Sequence, residues 1–127
     1  MTELAGGTVP SAFDRVARSY DLMVALSPGY HAQLRSSARA LVEALPDTPG
    51  RRPRVVDLGC GSGASTAALV RALDDAGVDA EVVGIDGSAG MLDQARGKAA
   101  LARVDFRQAD AERLTAAELG PVDGVLA

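Results

Sequence analysis

Apolar residues follow two alternating patterns in the second half of the chain. Short apolar runs predict β-strands at residues 54–58, 81–86, 104–108 and 122–126. Segments with apolar residues three or four positions apart predict helices at residues 62–76, 88–101 and 115–119. A regular alternation of strand and helix is typical of a parallel sheet with helices on both faces. The predicted fold class is therefore α/β, a Rossmann-like parallel sheet.

The region before residue 54 has a helical pattern throughout. One predicted helix begins at Ser11, its N-cap, and ends before the Ser-Pro-Gly sequence at residues 27–29. A second predicted helix follows, and a proline-rich segment then leads into the first strand. We therefore divide the chain into N-terminal helices with a linker, residues 1–53, and a sheet domain, residues 54–127.

The first predicted strand ends in an acidic residue and three alternating glycines, in the sequence Asp57-Leu58-Gly59-Cys60-Gly61-Ser62-Gly63. Glycines allow a sharp turn and let a ligand approach the bare main chain. The order strand, glycine turn, helix is that of a nucleotide-binding βαβ unit. Asp86, at the end of the second strand, is placed to accept two hydrogen bonds from a ribose diol.

The string VVDLGCGSG resembles the first motif of the class I S-adenosylmethionine-dependent methyltransferases, and residues 82–86, 88–96 and 104–111 resemble later motifs of that family. The resemblance implies the first four strands of a seven-stranded sheet, with strand order 3-2-1-4-5-7-6. It also implies S-adenosylmethionine as the cofactor. The implied cofactor-binding residues are Asp57, Gly59, Cys60, Gly61, Gly63, Asp86, Gly87, Met91, Asp110, Ala111 and Tyr20.

The family also implies individual roles for these positions. The residue matching Met91 packs on the adenine, and the residue matching Asp110 bonds the adenine amino group while the neighbouring backbone, at Ala111, reads a ring nitrogen. Tyr20 would close over the methionine carboxylate. Each has a structural alternative, because Met91 and Tyr20 also fit apolar helix faces and Asp110 also fits a helix cap.

Asp57 separates two interpretations of the glycine turn. The spacing Gly59-x-Gly61-x-x-Ala64 also fits the fingerprint of nicotinamide-dependent dehydrogenases, in which Asp86 would serve equally well. A carboxylate at the turn repels a pyrophosphate and attracts the ammonium group of methionine. We therefore favour the methyltransferase interpretation, with capping of the following helix as the structural alternative for Asp57.

The N-terminal strings FDRVARSYDLM and LSPGYH resemble the opening of the quinone C-methyltransferases of menaquinone and ubiquinone synthesis. The sequence departs from that pattern at Val24, by one missing residue before Ser27, and by the absence of a tryptophan after His31. The expected substrate is a small molecule, with a quinone or an aromatic natural product as the more specific expectation. His31, the single histidine, is more typical of a structural position than of a catalytic one, and no catalytic residue is assigned.

Charge is uneven along the chain, whose formal net charge is −4. Up to Arg54 there are seven basic and five acidic residues, whereas beyond it there are six basic and twelve acidic residues. The acidic half argues against a nucleic-acid partner, because phosphate contacts need a basic surface. The basic residues near the N-terminus fit a solvated helix face or a surface that attracts an acidic substrate; they include Arg15, Arg18, Arg35 and Arg39.

Other sequence features bear on the cellular location and on disulfide and metal sites. No segment has the roughly 20 apolar residues of a membrane span, and no secretory signal pattern is present, so the expected location is the cytoplasm. Cys60 is the single cysteine, which excludes an internal disulfide and favours a small residue in a tight turn over a reactive thiol. No metal site is expected.

The sequence ends at Ala127, directly after the fourth predicted strand. We expect a fragment of a longer enzyme, with a short protein completed by a partner chain as the alternative. Exposed apolar residues on that strand would favour pairing, so a homo-oligomer through the fourth strand or the N-terminal helices is a further expectation. A non-catalytic S-adenosylmethionine-binding or assembly module is the second functional hypothesis.

Overall fold

The computed structural model describes residues 28–127. Its helices are α1 (Pro28–Ala44), α2 (Ala64–Asp75), α3 (Ala89–Arg96) and α4 (Ala116–Leu119), with a 3₁₀ helix at Ala99–Leu101. Its strands are β1 (Arg54–Leu58), β2 (Glu81–Asp86), β3 (Asp105–Gln108) and β4 (Gly124–Leu126). The first predicted helix and Tyr20 lie outside the described residues.

The four strands form one parallel sheet in the order β3-β2-β1-β4. This order and the parallel pairing confirm the α/β prediction. The central strands are buried on both faces, as expected when helices cover both sides of a parallel sheet. Val55 belongs to a core under α1 and α2, whereas Val56, Val83 and Ile85 form a second core with side chains that include Leu119.

Helix α1 packs directly on α2 and β4. Its buried residues are Ala38 and Val42. At Gly124 in β4 a Cβ atom would lie 2.9 Å from Leu45 Cδ2 and 3.0 Å from Leu41 Cδ1. The glycine therefore lets the helix approach the strand closely.

Several predicted boundaries shift by a few residues in the structure. Helix α2 begins at Ala64 rather than residue 62, because Gly63 has φ 101 and is not helical. The predicted helix over residues 88–101 ends at Arg96, since Lys98 is extended with ψ 120, and a separate 3₁₀ turn follows. Strand β4 begins at Gly124 rather than residue 122.

Asp123 joins the segment before β1 to the start of β4. Its carboxylate accepts hydrogen bonds from Arg51 Nη1 at 2.8 Å and Nη2 at 2.7 Å, and from the Arg54 backbone N–H at 2.8 Å. The Arg51 guanidinium is the largest cause that lowers the pKa of Asp123 from 3.8 to about 2. A carboxyl group with a lowered pKa stabilises the fold above its unfolded-state pKa and loses that effect as the pH falls.

We expect the free energy of unfolding to decline as the pH is lowered from about 4 toward 2, since Asp123 binds a proton in the unfolded chain first. Asp123→Asn should show a shallower decline over this range. Urea unfolding at stepped pH measures both. Glu43→Gln removes an exposed carboxylate and serves as the control. An equally shallow decline in this control would contradict a specific role for Asp123.

Within residues 28–127 no helix is long and apolar enough to cross a membrane.

Candidate functional site

The carboxyl ends of β1, β2 and β3 bring most of the predicted site residues to one edge of the sheet. Gly59 and Cys60 donate backbone hydrogen bonds to the Ile85 carbonyl at 2.7 and 3.0 Å. Ala109, after β3, donates to the Asp86 carbonyl at 3.1 Å. The three loops that follow these strands are therefore tied together at the level of the backbone.

The glycine turn combines an open and a closed part. Gly59, Gly61 and Gly63 have φ values of 70, 56 and 101, which favour glycine. Gly59 is exposed, and a Cβ atom built there meets nothing within 4 Å. At Gly63, in contrast, a Cβ atom would lie 2.7 Å from Leu101 Cδ1 and 3.3 Å from Ala95 Cβ. The open main chain around Gly59 can receive a ligand, whereas Gly63 serves close packing.

Asp86 lies between the first two loops. Its Oδ1 accepts a hydrogen bond from Gly61 N at 3.2 Å, and its Oδ2 accepts one from Ser88 N at 2.9 Å. The residue is half-buried. Each carboxylate oxygen can accept more than one hydrogen bond. Asp86 is therefore held in place and can still accept hydrogen bonds from hydroxyl groups of a ligand.

Asp57 lies beneath the turn and is 1% exposed. Its Oδ2 accepts hydrogen bonds from Ser65 Oγ and Thr66 Oγ1, both at 2.7 Å. Burial is the largest cause that raises the pKa of Asp57, and the two hydroxyl groups oppose it. The side chain thus holds the first turn of α2, as in the structural alternative. Any influence on a ligand would act through the turn or through its negative charge.

We expect Thr66→Val to lower the free energy of unfolding by about 1.5–3 kcal/mol, because a buried carboxylate loses a donor. The raised pKa of Asp57 means that burial of its charged form costs stability as the pH rises. The loss should therefore be larger at pH 7 than at pH 4, as measured by urea unfolding. Thr66→Ser keeps the hydroxyl group and is the control. A loss independent of pH would contradict the proposed contact.

Cys60 points into the core, where a Cβ atom on Gly84 would lie 3.2 Å from its sulfur. Burial, followed by the charges of Asp57 and Asp86, raises the pKa of the Cys60 thiol to about 12. The thiol is therefore protonated at neutral pH, which favours the structural interpretation over a reactive one. Contact between Cys60 and a ligand would involve its backbone.

The adenine-side candidates lie near the same edge with more exposure. Met91, half-buried in the first turn of α3, donates its N–H to Ser88 Oγ at 3.2 Å. Asp110 is exposed, accepts a hydrogen bond from Glu112 N at 3.0 Å and lies 3.6 Å from Arg113 Nε. These contacts resemble the capping of a local turn. The carboxylate of Asp110 remains exposed to solvent. Gly87 and Ala111 are both exposed.

The methyltransferase domain family matches residues 55–127, more than half of the chain. The chain belongs to this family. Its sequence is 44% identical over 78 residues to the trans-aconitate 2-methyltransferase of Methylobacterium radiotolerans, covering 61% of this chain and 28% of that protein. It is 36% identical over 93 residues to the carboxy-S-adenosyl-L-methionine synthase of Campylobacter lari, covering 72% of this chain and 37% of that protein.

A solved structure shares the fold. The magnesium protoporphyrin IX methyltransferase of Synechocystis PCC 6803, with bound S-adenosylhomocysteine, superposes with a TM-score of 0.55 and 28% identity, covering 76% of this chain and 41% of that one. The sequence spans only 28% of the length of the trans-aconitate 2-methyltransferase and 37% of the length of the carboxy-S-adenosyl-L-methionine synthase. The match confirms the predicted methyltransferase fold.

Three polar side chains of this methyltransferase domain were not predicted to support the site. Ser65 and Thr66 hold Asp57, and Lys98 Nζ donates to the Ser62 carbonyl in the glycine turn at 2.7 Å. The adjacent hydroxyl residues just after the glycines are the only sequence signal for the first two. For Lys98 the chain offers no such signal, because the contact depends on where α3 ends.

Proposed function

We propose that this chain forms the cofactor-binding part of an S-adenosylmethionine-dependent methyltransferase that acts on a small-molecule acceptor. The observation that carries the proposal is the open main chain at Gly59 beside the half-buried carboxylate of Asp86. Membership of the methyltransferase family supports it. The acidic charge of the sheet half supports a small molecule rather than nucleic acid as the substrate.

The residues at the edge fit the parts of this cofactor. The space above Gly59 suits the methionine portion, and the Asp86 oxygens suit the ribose hydroxyl groups. Met91 offers a half-buried apolar surface for the adenine, and exposed Asp110 offers an acceptor for its amino group. The cofactor supplies a methyl group on a sulfonium leaving group, so the protein contributes mainly positioning and exclusion of water.

Asp57 acts indirectly in this proposal. Its carboxylate is buried and already accepts hydrogen bonds from two hydroxyl groups. Asp57 would therefore fix the turn that faces the methionine portion of the cofactor. A negative charge beneath that turn also favours a nearby ammonium group, because Coulomb attraction increases where water is excluded. Both effects make Asp57 a positioning residue rather than a catalytic one.

For the methyl acceptor we propose a quinone or an aromatic natural product. The support is the N-terminal resemblance alone. The relatives bear names that refer to trans-aconitate and magnesium protoporphyrin IX, and these compounds differ widely. A panel of quinols, phenols and carboxylic acids, assayed for methyl transfer from labelled S-adenosylmethionine, would identify the acceptor class.

The cofactor proposal is tested by calorimetric titration of the 127-residue protein with S-adenosylhomocysteine and with NAD. We expect saturable binding of S-adenosylhomocysteine and no comparable binding of NAD. Tighter binding of NAD would overturn the proposal in favour of a dehydrogenase-type site.

A non-catalytic binding or assembly module is the second candidate. The observation that favours it is Val125 in β4, which is 46% exposed on the outer strand of the described sheet. An exposed apolar edge strand is suited to pairing with another strand. Sedimentation analysis would test it: a concentration-dependent dimer that Val125→Lys abolishes supports assembly, and a monomer at all concentrations contradicts it.

A further inference from the structure

The arginines of the described region fall into two groups. Seven of the ten arginines in residues 28–127 lie within 4.0 Å of a carboxylate; these are Arg51, Arg52, Arg54, Arg96, Arg103, Arg107 and Arg113. Arg35, Arg39 and Arg71 make no ion pair with the part of the chain that the structure describes. Within residues 28–127, arginines without a carboxylate partner are therefore the minority.

These three arginines line a single groove of about 320 Å³ between α1 and α2. Arg35 and Arg39 are four residues apart on α1 and hence share a helix face. Across from them, Arg71 extends from α2, and the small side chains of Ala68 and Ala72 leave the space open. We call these residues the arginine groove.

Charge in the arginine groove is unbalanced. Asp75 is the one carboxylate among its lining residues, so the groove carries a net positive charge in a protein whose net charge is −4. Three clustered guanidinium groups repel one another, and an anionic ligand would relieve this repulsion. Guanidinium groups bind phosphate and carboxylate oxygens in a bidentate manner.

The arginine groove is separate from the glycine turn. Arg71 lies eight residues beyond Gly63, which corresponds to roughly 12 Å along an α-helix. We propose that the arginine groove binds a compact polyanion through its phosphate or carboxylate groups, at a second site distinct from the cofactor edge. The volume of the groove matches the lower range of small-molecule sites. Bound there, the ligand would bridge α1 and α2 and raise the melting temperature.

The test is calorimetric titration of the 127-residue protein at low ionic strength with inorganic pyrophosphate and, separately, with citrate. We expect at least one of them to bind saturably, and the preferred one identifies phosphate or carboxylate as the ligand class. Arg39→Gln and Arg71→Gln should each weaken binding by roughly ten- to a hundredfold, since each removes a charge-assisted contact. Asp75→Asn should strengthen it, because it removes the groove's carboxylate.

Arg107→Gln is the matched control. It also removes one positive charge, but from β3, at the opposite edge of the sheet from β4, which α1 contacts. An equal loss of affinity in this variant would show a general charge effect and overturn the proposal. Absence of saturable binding by both anions would overturn it too, as would displacement of the anion by saturating S-adenosylhomocysteine. Melting temperatures of the variants establish that each one is folded.

Discussion

Asp86→Ala is expected to weaken S-adenosylhomocysteine binding by roughly two to four orders of magnitude. Each of the two proposed ribose hydrogen bonds to the carboxylate contributes about 1.5–3 kcal/mol, and about 1.4 kcal/mol corresponds to a factor of ten. The alanine also leaves Gly61 N and Ser88 N without their acceptor. The turn proposed to receive the ligand would therefore lose its anchor as well. Calorimetric titration measures the change.

Two further variants separate these effects. Asp86→Asn keeps an acceptor oxygen of the same size and removes the charge, so we expect an intermediate loss of affinity. Asp93→Asn removes an exposed carboxylate from α3 that pairs with Arg96, and it should bind as the unmodified protein does. Unchanged affinity in Asp86→Ala would show that the ribose is bound elsewhere.

Gly63→Ala is expected to lower the free energy of unfolding by about 2–6 kcal/mol. A non-glycine residue at φ 101 costs about 1–3 kcal/mol in backbone strain. Overpacking against Leu101 Cδ1, 2.7 Å from the new Cβ atom, adds about 1–3 kcal/mol. Urea unfolding monitored by circular dichroism measures the loss.

Gly77→Ala is the matched control for this variant. Gly77 also has a positive φ, 69, but a Cβ atom there meets nothing within 4 Å. The free energy of unfolding of Gly77→Ala should therefore fall only by the cost of backbone strain. Similar losses in the two variants would show that overpacking of Gly63 against Leu101 adds no measurable cost.

The sequence was sufficient to predict the strands and helices of the sheet domain, because the signal for each is local. Strand periodicity located the four strands to within two residues, and the glycine turn and Asp86 fall at one edge as expected. Strand order was implied by the resemblance rather than by periodicity, since pairing is a long-range property.

The side chain of Asp57 shows where sequence reasoning was insufficient. The sequence predicts that Asp57 attracts an ammonium group, directly or through the adjacent backbone, and it does not distinguish the two routes; alternation along β1 places Asp57 on the same face as Val55, under α2. Its environment depends on hydroxyl groups from the next helix, which a strand pattern does not reveal. The arginine groove is similar, because only the packing of α1 on α2 shows which arginines lack a carboxylate partner among residues 28–127.

The sheet order has a consequence for synthesis on the ribosome. Strand β1 pairs with β2 on one side and on the other with β4, which comes last in sequence among the four described strands. At roughly 5–20 residues per second, the residues between them take on the order of several seconds to translate. Throughout that interval at least one edge of the nascent β1 is unpaired, and Arg51 lacks Asp123, its partner 72 positions later. A chaperone that covers apolar strand edges would therefore act on this protein before β4 emerges.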